Sequence, residues 1–141
     1  MDVVPFRAEH IEGLDLQDAQ VYLGEWITPE RAVMMEGFPS FTGLADGAIL
    51  GFAGVIPAWE HRSIAWAILS RRACKYMVPI TRATRAFLDQ LQCRRIEAAV
   101  DVGFEPGHRW IQMLGFALET PIARAYNPLG GDCSLYARVR N

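Results

Sequence analysis

The sequence predicts an α/β domain with a mixed sheet: an antiparallel meander followed by a parallel strand pair, with helices on both faces. Three observations carry this. Asp46-Gly47, a dipeptide that readily takes the left-handed backbone of a tight turn, separates two β-rich runs at residues 41–45 and 48–56. Ile80, Ala83, Thr84, Phe87, Leu88 and Leu91 recur at helical spacing and draw one apolar stripe down a helix. A β-rich run at 63–70 precedes that helix and another at 95–100 follows it. A strand, a crossover helix and a strand make a right-handed unit whose strands run parallel.

In chain order, residues 3–7 alternate weakly and read as a first strand, with Pro5 favouring a sheet edge because it has no N–H to pair. Residues 8–14 read as a short helix weakened by Gly13, and residues 15–23 extend it or form a second piece. Thr28-Pro29-Glu30-Arg31 is a helix start: a hydroxyl caps the free amides, proline stands where no amide is needed, and an acid occupies the positive first turn. This helix should run to about Glu36 and stop at Gly37. Gly51 and Gly54 mark a bulge or a close backbone approach, and residues 57–62 connect the meander to the strand at 63–70. Residues 101–107 are a loop and 108–114 a short helix closed by Gly115; 116–126 and 133–139 are strands around a turn-rich loop.

The bulk composition narrows the possibilities. At 141 residues the chain is one domain, 1–141, long enough for a core that needs no staples. Its 51% hydrophobic and 21% charged residues are those of an ordinary globular protein, and a net charge of -2 gives no reason to expect a nucleic-acid partner. No apolar run approaches the ~20 residues of a membrane span, and residues 1–10 lack a basic segment leading into an apolar one. A soluble, cytoplasmic protein with no membrane partner is expected. Cys74, Cys93 and Cys133 are odd in number and lack C-x-x-C spacing, which argues against a disulfide framework and a metal site. Cys93 and Cys133 read as packing residues. Cys74 stands apart among basic neighbours, with no partner at a spacing diagnostic of a nucleophile.

The most informative stretch is 63–91, where the strand leads through a basic turn into the helix. Pro79 is tolerated only in a first turn, so the helix begins between Tyr76 and Pro79. Arg71, Arg72, Lys75 and Arg82 stand before and within that turn, with no acid until Asp89. A helix N-terminus is already partly positive, so cations crowd there unfavourably unless an anion sits among them. The turn is a candidate phosphate site. On charge alone, a solvated basic loop at a strand end is the alternative.

With this order of elements, the chain resembles the GCN5-related N-acetyltransferase (GNAT) family over nearly its whole length. The stretch at 63–91 and the Leu114-Gly115-Phe116 that closes the short helix carry the resemblance. The chain is also similar to small phage-encoded GNAT-like proteins, some of them internal virion proteins. The resemblance implies a splayed parallel strand pair and acetyl-CoA as co-substrate, with a small-molecule or protein amine as acceptor. It implies that Ala67, Ile68, Leu69 and Ser70 line the pantetheine arm, and that Arg71, Arg72, Ala73, Cys74, Lys75, Tyr76 and Met77 face the pyrophosphate. Glu60 and His61, just before that strand, are the candidate base. Tyr126 is the candidate acid, with Tyr76 as its alternative, and Glu25, Trp26 and His108 are the candidate acceptor-binding residues. The structural alternatives are a solvated turn at Glu60-His61, a core Trp26 beside a surface acid, and a His108 that caps its helix or faces water. His10 reads as a surface residue.

Two positions depart from the family's pattern. Its loop reads Q/R-x-x-G-x-G/A, whose glycines let the backbone close on the phosphates; aligned from Arg72, this chain has Lys75 and Met77 there. The family's tyrosine acid lies four residues before the glycine of the closing motif, where this chain has Ile111, which has no proton to donate. The competing expectation is a GNAT-like fold without catalysis: a phage structural or host-interaction protein, in the host cytoplasm or the virion.

Overall fold

The computed structural model describes residues 1–12, 14–15 and 26–141. Seven strands form one mixed sheet in the order β1-β2-β3-β4-β5-β7-β6. They are β1 Asp2–Pro5, β2 Ser40–Ala45, β3 Ala48–Trp59, β4 Arg62–Leu69, β5 Arg95–Asp101, β6 Ala117–Ala123 and β7 Cys133–Val139. Pro29–Glu36 (α1), Met77–Gln90 (α2) and Glu105–Met113 (α3) are α-helices, and Ala8–Ile11 and Arg71–Tyr76 are 3-10 helices. The chain divides into two compact units, one of Met1–Ile56 with Ala65–Thr84, the other of Pro57–Ile64 with Arg85–Asn141.

In the first unit, β2 and β3 form the expected antiparallel pair, and β1 pairs antiparallel with β2 as the edge strand that Pro5 suggested. Asp46 and Gly47 both take positive φ, 51° and 75°, the backbone of a type I′ turn, and Ala45 pairs Ala48 across it. The helix signal at Thr28 holds to the residue: the Thr28 hydroxyl accepts from the Arg31 amide at 3.2 Å and Gly37 ends the helix. Residues 8–14 differ from expectation, since the helical piece is a 3-10 turn of Ala8–Ile11. The expectation for 15–23 falls outside the described residues from 16 onward. The core of this unit gathers Phe6, Ile27, Ala32, Met35, Phe52 and Ile68.

Both readings of Gly51 and Gly54 hold. The β2–β3 register shifts between Gly43 and Leu44, leaving Leu50 as an extra residue beside Gly51. A Cβ at Gly51 would lie 2.5 Å from the Ile68 carbonyl oxygen, and one at Gly54 2.6 Å from that of Pro39. What approaches these glycines is the protein's own backbone.

In the second unit, β4 and β5 are parallel as expected, with Arg62 paired to Arg95, Ser63 to Ile96 and Ile64 to Glu97. The β3–β4 connection is shorter than expected, a two-residue turn at Glu60-His61, because β3 continues through Trp59. Helix α3 starts at Glu105, inside the segment expected as loop, with an acid and Pro106 in a first turn that suits both. Gly115 closes the helix with φ 93°. The terminal hairpin is present, but its second strand lies against β5: β7 pairs β5 from Arg95–Val139 to Asp101–Cys133, and β6 takes the edge.

Candidate functional site

The C-terminal end of β4 and the basic turn lie in the first unit. The backbone there is tied down by its own chain. Ser70 donates its N–H to the Leu50 carbonyl at 2.8 Å, and Arg71 donates to the Asp15 carbonyl at 2.8 Å. The Ser70 hydroxyl accepts from the Arg72 N–H at 3.2 Å, while the Ala73 N–H donates to the Ser70 carbonyl at 3.1 Å. Ser70 therefore caps a 3-10 helix, and the stretch expected as a basic loop is a helical extension leading into α2 at Met77. Ile68, Ser70 and Ala73 are buried, whereas Arg71, Arg72, Cys74, Lys75 and Arg82 are exposed and Tyr76 and Met77 are half-buried. Arg71 lies 3.7 Å from Asp15. Among the described residues, Arg72, Lys75 and Arg82 make no ion pair. The apolar stripe of α2 holds, with Ile80, Thr84 and Leu88 buried.

Other candidates lie elsewhere. Trp26 is not a core residue: it is 37% exposed, and the Arg31 guanidinium stacks on its ring at 4.7 Å. Glu25 falls outside the described residues. His10 is half-buried rather than superficial: its Nδ1 lies 2.8 Å from the hydroxyl of the fully buried Thr42 and accepts from the Arg7 N–H at 3.1 Å.

In the second unit, Glu60 and His61 form the exposed turn at the N-terminal end of β4 and lie 3.9 Å apart. Tyr126 is 54% exposed in the β6–β7 loop, where its N–H donates to the Gly131 carbonyl. His108 has both ring nitrogens engaged: Nε2 lies 3.0 and 2.9 Å from the Asp101 and Val102 carbonyls, and Nδ1 lies 2.8 Å from the buried Tyr136 hydroxyl. Because carbonyls only accept, Nε2 carries a proton and donates to them. Ile111 is buried. Cys133 is buried too, and burial together with Asp101 raises its thiol pKa to about 11.

A charge ladder in this unit was not foreseen. Arg62 is bidentate to Glu97 and stacks on Trp59 at 4.8 Å; Arg95 donates to Glu97 at 3.0 Å and to Glu119 at 3.1 Å. The hydrogen bond from Arg62, with that from Arg95, holds the Glu97 carboxyl down at about 2 against desolvation. The same contacts raise both arginines, chiefly through Glu97 for Arg62 and through Glu119 for Arg95. The parallel pairing of β4 with β5 was the available signal, because it sets Arg62 and Glu97 near each other on one face.

No protein-family model matches the sequence, and no curated protein matches it. Solved structures do match in three dimensions. Ard1 from Thermoplasma volcanium superposes with a TM-score of 0.80 at 14% identity, over 99% of this chain and 97% of that one. A ribosomal-protein-alanine N-acetyltransferase from Brucella melitensis gives 0.74 at 12% identity, over 99% of this chain and 100% of that one. A GNAT-family acetyltransferase from Bacillus anthracis gives 0.72 at 17% identity, over 97% and 93%. At such identities the likeness is one of architecture. It agrees with the meander, the parallel β4–β5 pair and the hairpin that follows α3: this chain has the GNAT fold.

Proposed function

We propose that the chain is an acyl-CoA-dependent N-acyltransferase that moves an acetyl group from acetyl-CoA to an amine. The observation that carries this is the set of cations Arg72, Lys75 and Arg82, which make no ion pair among the described residues, where β4 runs into the long helix of this fold. Their side chains fit a pyrophosphate by charge. The backbone fits less well, because the Arg71, Arg72 and Ala73 amides are already bonded and positions 75 and 77 carry side chains. The grip on the coenzyme is therefore mainly through guanidinium and ammonium groups, which bind phosphate oxygens by charge-assisted hydrogen bonds. Ala67, Ile68 and Leu69 supply the strand along which the pantetheine arm lies.

In the reaction, the neutral amine nitrogen attacks the thioester carbonyl carbon, an N–C bond forms and the C–S bond breaks. The proton shed by the amine goes to a base, for which Glu60 and His61 are the candidates, and the thiolate takes a proton from an acid, for which Tyr126 is the candidate. Glu25, Trp26 and His108 are the candidates for binding the acceptor, His108 through its engaged ring rather than as a base.

A thermal scan with and without millimolar acetyl-CoA tests the reading. A ligand that binds only the folded chain at 100 times its Kd stabilises by about 2.7 kcal/mol, a shift of several degrees. An unmoved melting temperature sinks it. The second reading, a GNAT-like protein without catalysis, is favoured by the buried Ile111 and by Lys75 and Met77. It predicts that no amine is acetylated at any coenzyme concentration.

A further inference from the structure

One corner of the second unit gathers the C-terminal ends of α2, α3 and β7 with the connection at 91–94. Arginines meet there around a single carboxylate. Arg138 is bonded to Asp89, and it finds room beside Gly115, where a Cβ would lie 3.2 Å from Arg138 Nε. The others are held on backbone carbonyls: Arg85 Nη1 donates to that of Met113 at 3.1 Å, Arg140 Nη2 to that of Asp89 at 2.8 Å, and Arg94 Nε to that of Arg140 at 3.2 Å. The Arg140 N–H donates in turn to the Arg94 carbonyl at 2.8 Å. The bond from Arg138, then the charges of Arg138, Arg85 and Arg140, hold the Asp89 carboxyl below its ordinary pKa. Capping of α2 and α3 accounts for Arg140 and Arg85 in part. It uses one of the five N–H groups of each guanidinium, and a carbonyl neutralises no charge. The two helix ends offset roughly half a charge each, which leaves an excess of about two positive charges at this corner.

We propose that this corner is a docking surface for an acidic segment of a partner protein, one in which several Asp or Glu residues stand close to an apolar one. Guanidinium is a planar fork that meets a carboxylate with two parallel N–H bonds. The carbonyls already hold Arg85, Arg94 and Arg140 in place, so little side-chain freedom is lost on binding. All three are exposed and form no ion pair among the described residues. Between an acidic protein and a nucleic acid, the composition favours the protein. The cluster is all arginine without lysine, and Met113, whose carbonyl holds Arg85, is 56% exposed. Protein interfaces are enriched in Arg and Met and depleted in Lys. A densely charged phosphate polymer is also repelled at range by a chain of net charge -2, whereas a short acidic segment needs only the local excess. The surface is independent of the acyltransferase reading, because it shares no residue with the cations around the start of α2.

The test uses the full chain and a fluorescein-labelled peptide, Glu-Asp-Leu-Glu-Glu-Leu-Asp-Glu, with its Gln/Asn counterpart as the neutral control. Fluorescence anisotropy should show binding of the acidic peptide alone, weakening as salt is raised. Arg85→Gln combined with Arg140→Gln should weaken it by about tenfold or more, through the loss of two charge-assisted contacts. Arg124→Gln, which removes an exposed charge from the β6–β7 loop, should leave it unchanged. Because Arg85 and Arg140 also cap helices, Arg94→Gln is measured beside them: its carbonyl partner is no helix end, and a loss of about threefold is expected at an unmoved melting temperature. Wild-type affinity in Arg94→Gln and in the folded double variant overturns the proposal. So does equal binding of the neutral peptide, or tighter binding of an oligothymidylate that the same variants weaken. Displacement of the peptide by saturating acetyl-CoA would move it to the cations around the start of α2 and overturns the proposal too. A chain that takes the peptide at this corner but not acetyl-CoA supports the surface and sinks the acyltransferase reading.

Discussion

Arg62, Arg95 and Arg138 each lie against carboxylates, on Glu97, on Glu97 and Glu119, and on Asp89, in the unit built from Pro57–Ile64 and Arg85–Asn141. Arg72, Lys75 and Arg82 lie in exposed positions around the start of α2 with no carboxylate partner among the described residues. Both groups are equally charged, yet only the second projects a field. A paired cation neutralises itself and does structural work, whereas an unpaired cluster raises the local concentration of an anion. The net charge of -2 therefore hides a local positive excess, and ion pairing is what separates the two kinds of cation.

The contrast breaks most sharply at the unpaired set. Arg72→Ala combined with Lys75→Ala should lower acetyl-CoA affinity by about 100-fold, two charge-assisted bonds at roughly 1.5 kcal/mol each. The ligand-free melting temperature should not move. Calorimetric titration reads the first quantity, and unchanged affinity would place these cations with the solvated ones.

Glu97→Ala is the converse. It strips both Arg62 and Arg95 of a partner on a partly exposed surface, so unfolding in urea should cost about 1–2 kcal/mol less, with acetyl-CoA affinity preserved. Acid then sharpens the point. Glu97 has its pKa depressed from 4.5 to about 2, so the stability it contributes is present above the unfolded value and is lost as pH falls through the folded one. The stability gap between wild type and Glu97→Gln, followed by urea melts, should close between pH 4.5 and about pH 2. A gap that persists at the acid end would mean the ladder is held by packing. The smallest effect is ionic: raising salt from about 0.1 to about 0.5 M should weaken coenzyme binding several-fold while moving the urea midpoint little.

What could be read from the sequence was local. Asp46-Gly47, the Thr28 cap and the α2 stripe each rest on residues within a few positions of one another, and each took the form their chemistry demands. The parallel β4–β5 pair followed from handedness alone. What was not read is non-local. That β7 rather than β6 lies against β5 depends on pairings between distant strands, and the His10–Thr42 bond spans 32 residues. At the candidate site, the cations were visible as charge, but whether the amides beside them were free was not. Ser70 takes the Arg72 amide, a serine in a strand-ending position that gave no sign of being a cap. Trp66 read as one more apolar strand residue, because whether its N–H finds a partner among the described residues depends on distant neighbours.

The bond from the Ser70 amide to the carbonyl of Leu50, the extra residue in β3, also bears on the order of assembly. That bond ties the 3-10 turn to the register of β3 against β2 and to the β3–β4 hairpin. Hairpins with two-residue turns have short loops to close and form early, which would put the 3-10 turn after the hairpin in the order of assembly. Native-state hydrogen exchange should show Ser70 and Leu50 opening together, and a deletion at Leu50 should undo a turn twenty residues downstream while leaving its sequence untouched.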